Sequence, residues 1–162
     1  MNISRRSKEA CQLYLATLGP LGWIPFAPGT WGSLAAVLIA PWLFLPLHPL
    51  LQVFLVLLLF VAGSWAASQA EKTLQQKDPG PVIIDEFAGQ LLVFIFILQP
   101  GFWQLGVGFL LFRLFDISKP WPVGASESWL ASGYGVMLDD ILAGIYAGLS
   151  LLLLQALIIV IL

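Results

Sequence analysis

The chain has one cysteine, Cys11, and one histidine, His48, among its 162 residues. A lone cysteine permits neither an internal disulfide nor a thiolate zinc site. A lone histidine excludes chemistry that needs two. Charge is scarce as well: 10% of residues are Asp, Glu, Lys or Arg, against about 25% in soluble domains. The seven Lys and Arg are scattered, so there is no basic stripe for nucleic acid. What fills the chain is apolar: 59% hydrophobic before its 15 glycines are counted, with a mean hydropathy of +0.92. A 17.7 kDa soluble domain has too little interior to hide that much apolar surface. The composition excludes a soluble enzyme, a disordered chain and a disulfide scaffold. It predicts a single integral membrane domain over 1–162.

A bilayer core of about 30 Å takes about 20 apolar helical residues to cross. Trp31–Leu47 is a first such run, interrupted at Pro41 and Pro46, and Leu50–Ala67 is a second. Phe87–Leu98 holds 12 residues, roughly 18 Å of helix, and reaches spanning length only if Val82–Glu86 joins it. Phe102–Leu111 is short unless it continues through Arg113 to Ile117. Ile141–Leu162 is 22 residues without a charge. Strands with open edges leave backbone groups unsatisfied in lipid. The fold expected is therefore all-α: a polytopic bundle of about five membrane-embedded helices, with a short or re-entrant N-terminal segment. That segment, GWIPFAPGTWGS at 22–33, carries Pro25, Pro28, Gly29 and Gly32, which break a straight helix. Thr30 and Ser33 are candidate caps for the helix that follows. Arg5, Arg6 and Lys8 look like the start of a signal peptide. Gln12 and Tyr14 interrupt the run that follows, and no cleavage site is evident, so the N-terminus is read as retained.

All sixteen charges fall in four places: 5–9, 71–86, 113–127 and 139–140. The turns Pro46–Leu50 and Gln99–Gly101 carry none. With five spans, every charged place lies on one side of the membrane. The Lys/Arg bias assigns that side, and the N-terminus, to the cytoplasm.

Five carboxylates stand at or near helix ends on that side: Asp85, Glu86, Asp116, Asp139 and Asp140. Arg113, Asp116 and Lys119 repeat at i, i+3, i+6, on one helical face. Acids at helix starts complement the dipole, and cations at helix ends can snorkel. Yet two acidic pairs at two helix starts exceed what capping needs, and charge at membrane depth costs about 2.5–3.5 kcal/mol per residue. Clustered carboxylates need a cation, and with only hard oxygens available the metal expected is Mg²⁺, with Mn²⁺ as the alternative. A metal beside an Arg and a Lys makes a phosphate site. At the headgroup plane, that phosphate belongs most naturally to a lipid. In this scheme Asp85, Glu86, Asp139 and Asp140 are metal ligands, and Arg113 and Lys119 bind phosphate. Asp116 either ligates or serves as base. Other phosphoryl chemistries fail on residue type. Thr17, not Arg, lies six after Cys11; Asp-x-Asp is absent; and the spaced Asp motif of the CDP-alcohol transferases is absent too.

Four blocks carry a resemblance: FAPGTWGS (Phe26–Ser33), IDEFAGQ (Ile84–Gln90), FRLFDISKPWPV (Phe112–Val123) and GYGVMLDDILAG (Gly133–Gly144). In this order and spacing, over residues 17–148, the chain resembles the phosphatidylglycerophosphatase A family. It departs slightly at Ser132–Gly133, where two glycines are usual. The resemblance implies an all-helical fold and Mg²⁺-dependent hydrolysis of phosphatidylglycerophosphate to phosphatidylglycerol and inorganic phosphate. It also implies a multi-pass protein of the bacterial inner membrane. By motif position it points to Thr30, Asp85, Glu86, Arg113, Asp116, Lys119, Asp139 and Asp140 as catalytic, metal-binding or phosphate-binding residues. Two alternatives stay open: a phosphatase of another lipid phosphate, and a small transporter or scaffold whose charges pair structurally. A transporter would place its charges near the midplane rather than at one side.

Overall fold

Proline and glycine punctuate this chain, and the helices form between them. The computed structural model describes residues 3–161, with side chains from residue 8 onward. The side chains of Arg5 and Arg6, part of the basic N-terminal place, lie outside the described residues. Among the described residues all regular structure is helical. The elements are α1 (Ile3–Ala16), a 3₁₀ turn (Leu21–Trp23), α2 (Pro28–Ile39), α3 (Pro49–Leu74), α4 (Ile84–Ile95), α5 (Phe102–Ser118), α6 (Val123–Ser126) and α7 (Gly133–Ile161).

The start of α2 differs from the expectation. Ala27 takes a left-handed conformation (φ 47°) and Pro28 occupies the first helical position. Proline has φ already set for a helix and no N–H to leave unpaired there. The helix thus begins before Thr30 and Ser33, and neither caps it; the Ser33 hydroxyl instead donates to the Gly29 carbonyl at 2.9 Å. At its far end α2 widens into a π turn, Ala40–Phe44, around Pro41, which cannot donate to the α ladder. Gln52 of α3 reaches back to this turn. Its Nε2 donates to the carbonyls of Phe44 and Leu47, both at 3.2 Å.

Two helices, α3 (26 residues) and α7 (29 residues), are long and apolar enough to cross a membrane. In their most apolar stretches only 33% and 22% of residues are buried, an exposure that suits contact with lipid. The 12 residues of α4 do not reach spanning length: it starts at Ile84, taking in Asp85 and Glu86, but ends at Ile95. All seven tryptophans are exposed.

The centre of the bundle is the crossing of α4 and α7, flanked by α3 and α5. Phe94, Phe112, Ala143, Ala147 and Leu151 are buried there. Gly89 and Gly144 let the two backbones touch: a Cβ on Gly144 would stand 2.5 Å from the Gly89 carbonyl oxygen. Ala16, Ala66, Ala67 and Ala70 make a second cluster between α1 and α3. The two uncharged turns meet at one end of the bundle, where Leu45, Leu47, Leu98 and Gln99 share a small cavity. The start of α2, the α3–α4 loop, the start of α4, the end of α5 and the acidic pair of α7 meet elsewhere, around a polar cavity.

Candidate functional site

That polar cavity has a volume of about 270 Å³. Its walls carry Asp78, Asp85, Glu86, Asp116, Asp139 and Asp140, with Arg113 and Lys119 as the two cations and Ala27, Pro28 and Gly29 along one side. Seven of the eight expected site residues therefore share it. Thr30, the eighth, follows Gly29 in the first turn of α2 and does not line it.

Asp85 and Glu86 occupy the first turn of α4, and Asp140 lies on the face of α7 that crosses it. One carboxylate oxygen from each of the three lies within 4.8 Å of the others. Asp85 and Asp140 are nearly inaccessible, and Asp85 Oδ1 and Glu86 Oε2 are buried without a hydrogen-bond partner. Buried polar atoms are nearly always partnered, and like charges this close need a counter-charge. The donor set is hard oxygen, the kind that suits Mg²⁺ or Mn²⁺. The orphaned oxygens and their spacing fit a divalent ion held by Asp85, Glu86 and Asp140.

Asp139, expected in the same ligand set, faces a different partner. Its Oδ2 accepts from Lys119 Nζ at 2.5 Å and its Oδ1 from the Asp140 backbone N–H at 3.1 Å. Lys119 gets there because α5 stops at Ser118 and Lys119 turns left-handed (φ 42°) ahead of Pro120. That conformation costs a non-glycine residue about 1–2 kcal/mol. Ala27 is left-handed as well, and strained residues of this kind cluster at functional sites. Burial disfavours the Lys119 ammonium, but the hydrogen bond and charge of Asp139, aided by Glu127, outweigh it. The group is raised above the ordinary lysine value.

Arg113 and Asp116 pair one turn apart on α5, Nη1 to Oδ2, at 2.5 Å. The same Nη1 lies 3.4 Å from Ser33 Oγ, while Nε is buried without a partner. One edge of the guanidinium is thus committed and the other is not. Gly29 is a close-approach glycine: a Cβ there would overlap Glu86 Oε1 and stand 3.3 Å from Arg113 Nη1.

Four residues of the site region escaped sequence reasoning. Asp78 lines the cavity from the Asp-Pro-Gly-Pro loop. Glu127 bonds Lys77 across 50 residues and approaches Lys119, a long-range tie that no local pattern signals. Ser33 was read as a cap. Gln90, inside the IDEFAGQ block and one helical turn from Glu86, is fully buried with both amide atoms unpartnered. Its signal was a polar residue amid an apolar helix.

The arrangement can hold a hard cation on three acids and an anion on two cations, side by side. A family model described as Phosphatidylglycerophosphatase A matches residues 14–155. A Haemophilus influenzae protein named phosphatidylglycerophosphatase A is 36% identical over 126 residues, covering 78% of this chain and 77% of its own. One of the same name from Escherichia coli is 35% identical over 126 residues, 76% of this chain and 72% of its own. A Bacteroides thetaiotaomicron protein with the provisional name phosphatidylinositol-3-phosphatase is 40% identical over 132 residues, 78% of this chain and 82% of its own. No solved structure matches.

Proposed function

The chain belongs to the phosphatidylglycerophosphatase A family and is a phosphatase of that type; from that premise we propose that it hydrolyses the terminal phosphomonoester of phosphatidylglycerophosphate with the help of Mg²⁺, at the cytoplasmic leaflet of a bacterial inner membrane. One observation carries the chemistry: the carboxylates of Asp85, Glu86 and Asp140 converge in the same cavity as Arg113 and Lys119. A divalent ion bound there would supply charge neutralisation for the phosphoryl oxygens. The protein's own residues do the rest. Asp85, Glu86 and Asp140 would hold the cation. The uncommitted edge of Arg113 grips the phosphate as a fork. Lys119, fixed between Asp139 and Glu127, adds a second positive charge. Asp116 orients Arg113 and is the carboxylate left to align or deprotonate the attacking water. Asp139 positions Lys119.

Membrane embedding of the shorter helices draws on the tryptophans. Trp42 and Trp103 lie at the ends of α2 and α5 remote from the site, and Trp31 and Trp121 lie at the near ends, all exposed. Paired girdles of this kind mark the two interfaces of a bilayer. On this basis α2 with its π turn and α5 are also embedded, α4 is enclosed by its neighbours, and the charged end faces the cytoplasm.

The test is phosphate release by the purified protein from a panel of phosphatidylglycerophosphate, phosphatidate and phosphatidylinositol 3-phosphate, with Mg²⁺. The third lipid is included because of the Bacteroides relative's name. Fastest release from phosphatidylglycerophosphate is the expected outcome. A preference for either other lipid reassigns the substrate, and release from none removes the activity.

A further inference from the structure

Lys77 stands outside the cavity, on the α3–α4 loop, one residue before the lining Asp78. Its Nζ donates to Glu127 Oε1 at 3.0 Å, and the other oxygen of that carboxylate lies 3.6 Å from Lys119 Nζ. Lys119 lines the cavity and pairs with Asp139. Two ammonium groups thus flank one carboxylate, the first on the rim and the second inside. The Lys77 side chain is 72% exposed and that of Glu127 28%. As an isolated surface ion pair this tie would contribute little. Its place gives it meaning, because it ties the α3–α4 loop, which lines the cavity, to the end of α6 and continues inward to Lys119.

Charge complementarity says what such a pair of lysines is for. Six carboxylates line the cavity against two cations. Even with a divalent ion on three of the acids, the lining stays net negative, so a second anion has to find its counter-charge at the rim. A glycerophospholipid of the proposed class carries a second anion, the phosphodiester that links headgroup to diacylglycerol. With the monoester inside, that diester lies a headgroup's length further out, at the rim. Lys77 is the cation there, and Glu127 already holds an anionic group between it and Lys119.

We propose that Lys77 completes a second phosphate subsite at the rim, in which the bridging phosphodiester of the substrate takes the place of the Glu127 carboxylate between Lys77 and Lys119, with Lys119 shared between the two phosphates. The inference rests on the lipid-phosphatase reading above and deepens it. The subsite selects lipids that bear a phosphomonoester beyond a phosphodiester over lipids, such as phosphatidate, that bear a monoester alone. Glu127 is the competing anion: it bridges the two lysines in the free protein and gives way on binding.

The experiment measures kcat/KM for phosphatidylglycerophosphate and for phosphatidate with the purified full-length protein in mixed micelles containing Mg²⁺. Wild type, Lys77→Ala and Glu127→Gln are compared. In Lys77→Ala the ratio of the two values falls about tenfold, through KM for phosphatidylglycerophosphate rather than kcat. In Glu127→Gln, where the competing charge is gone, the ratio rises. A Lys77→Ala protein whose two values fall by the same factor, or not at all, overturns the subsite. So does a Glu127→Gln protein whose ratio drops, because Glu127 would then hold Lys119 in place rather than compete with substrate. Wild type releasing phosphate from neither lipid removes the phosphatase reading and the subsite together.

Discussion

Replacing Gly89 with alanine tests whether the crossing of α4 and α7 sets the carboxylate cluster. A methyl on Gly89 would stand 2.5 Å from the Asp140 carbonyl oxygen and 2.7 Å from the Phe112 ring, where ordinary contact begins at 3.4 Å. The obstacle on the α7 side is backbone, so the helices must part by most of an ångström. Asp85 and Glu86 lie within one turn of Gly89 on α4, and Asp140 is the very residue pushed away. The triangle of oxygens now within 4.8 Å opens accordingly. Overpacking of this kind costs about 1–3 kcal/mol of stability, while a displacement near 1 Å at a reacting centre lowers turnover by about a hundredfold. The assay is phosphate release from phosphatidylglycerophosphate beside thermal unfolding in detergent. Gly144→Ala, blocked by the Gly89 carbonyl at 2.5 Å, behaves alike. Gly106→Ala on α5, with nothing within 4 Å of the added methyl, is the control that keeps wild-type turnover. A folded Gly89→Ala protein with wild-type turnover and Mg²⁺ requirement would refute the reasoning, because the crossing would then not govern the site.

Two further outcomes are expected. Arg113→Lys keeps the charge but loses the fork that serves Asp116 on one edge and phosphate on the other, so kcat/KM falls about 10–100-fold, read by steady-state kinetics; unchanged kinetics would show that only the charge counts. Lys119 is raised above the ordinary lysine value, so its charged form persists at every pH below about 10; Lys119→Arg therefore leaves the shape of the alkaline limb of the pH–rate profile unchanged, and a limb that vanishes in the Arg variant would assign it to Lys119.

Much of the site was legible because its chemistry is carried by rare residues. In a chain with 10% charge, every acid and base stands out, and the break at Pro120 marks the helix end that holds Lys119. The two uncharged turns were readable for the same reason, and they do meet at one end of the bundle. The number of spans was not. Apolar runs merge or shorten without a charge to mark the change, so α4 stops at Ile95 while the run reads on to Leu98. The start of α2 was missed because an alanine in a left-handed conformation leaves no trace in the sequence. Asp139 and Asp140 were grouped as ligands, yet neighbours on a helix point about 100° apart. Asp140 turns to α4 and Asp139 to Lys119. Glu127 depended on a contact 50 residues distant, which only the folded chain brings about.

The central claim is that a divalent ion held by Asp85, Glu86 and Asp140 supports hydrolysis of a lipid phosphomonoester. Its most direct test is phosphate release from phosphatidylglycerophosphate by chelator-treated protein, before and after Mg²⁺ is returned, in wild type and in Asp140→Asn. Wild type is expected to lose its activity to the chelator and regain it with Mg²⁺, and Asp140→Asn to need far more Mg²⁺ for any turnover. Full activity in the presence of chelator, or an Asp140→Asn enzyme with the Mg²⁺ requirement of wild type, would contradict it.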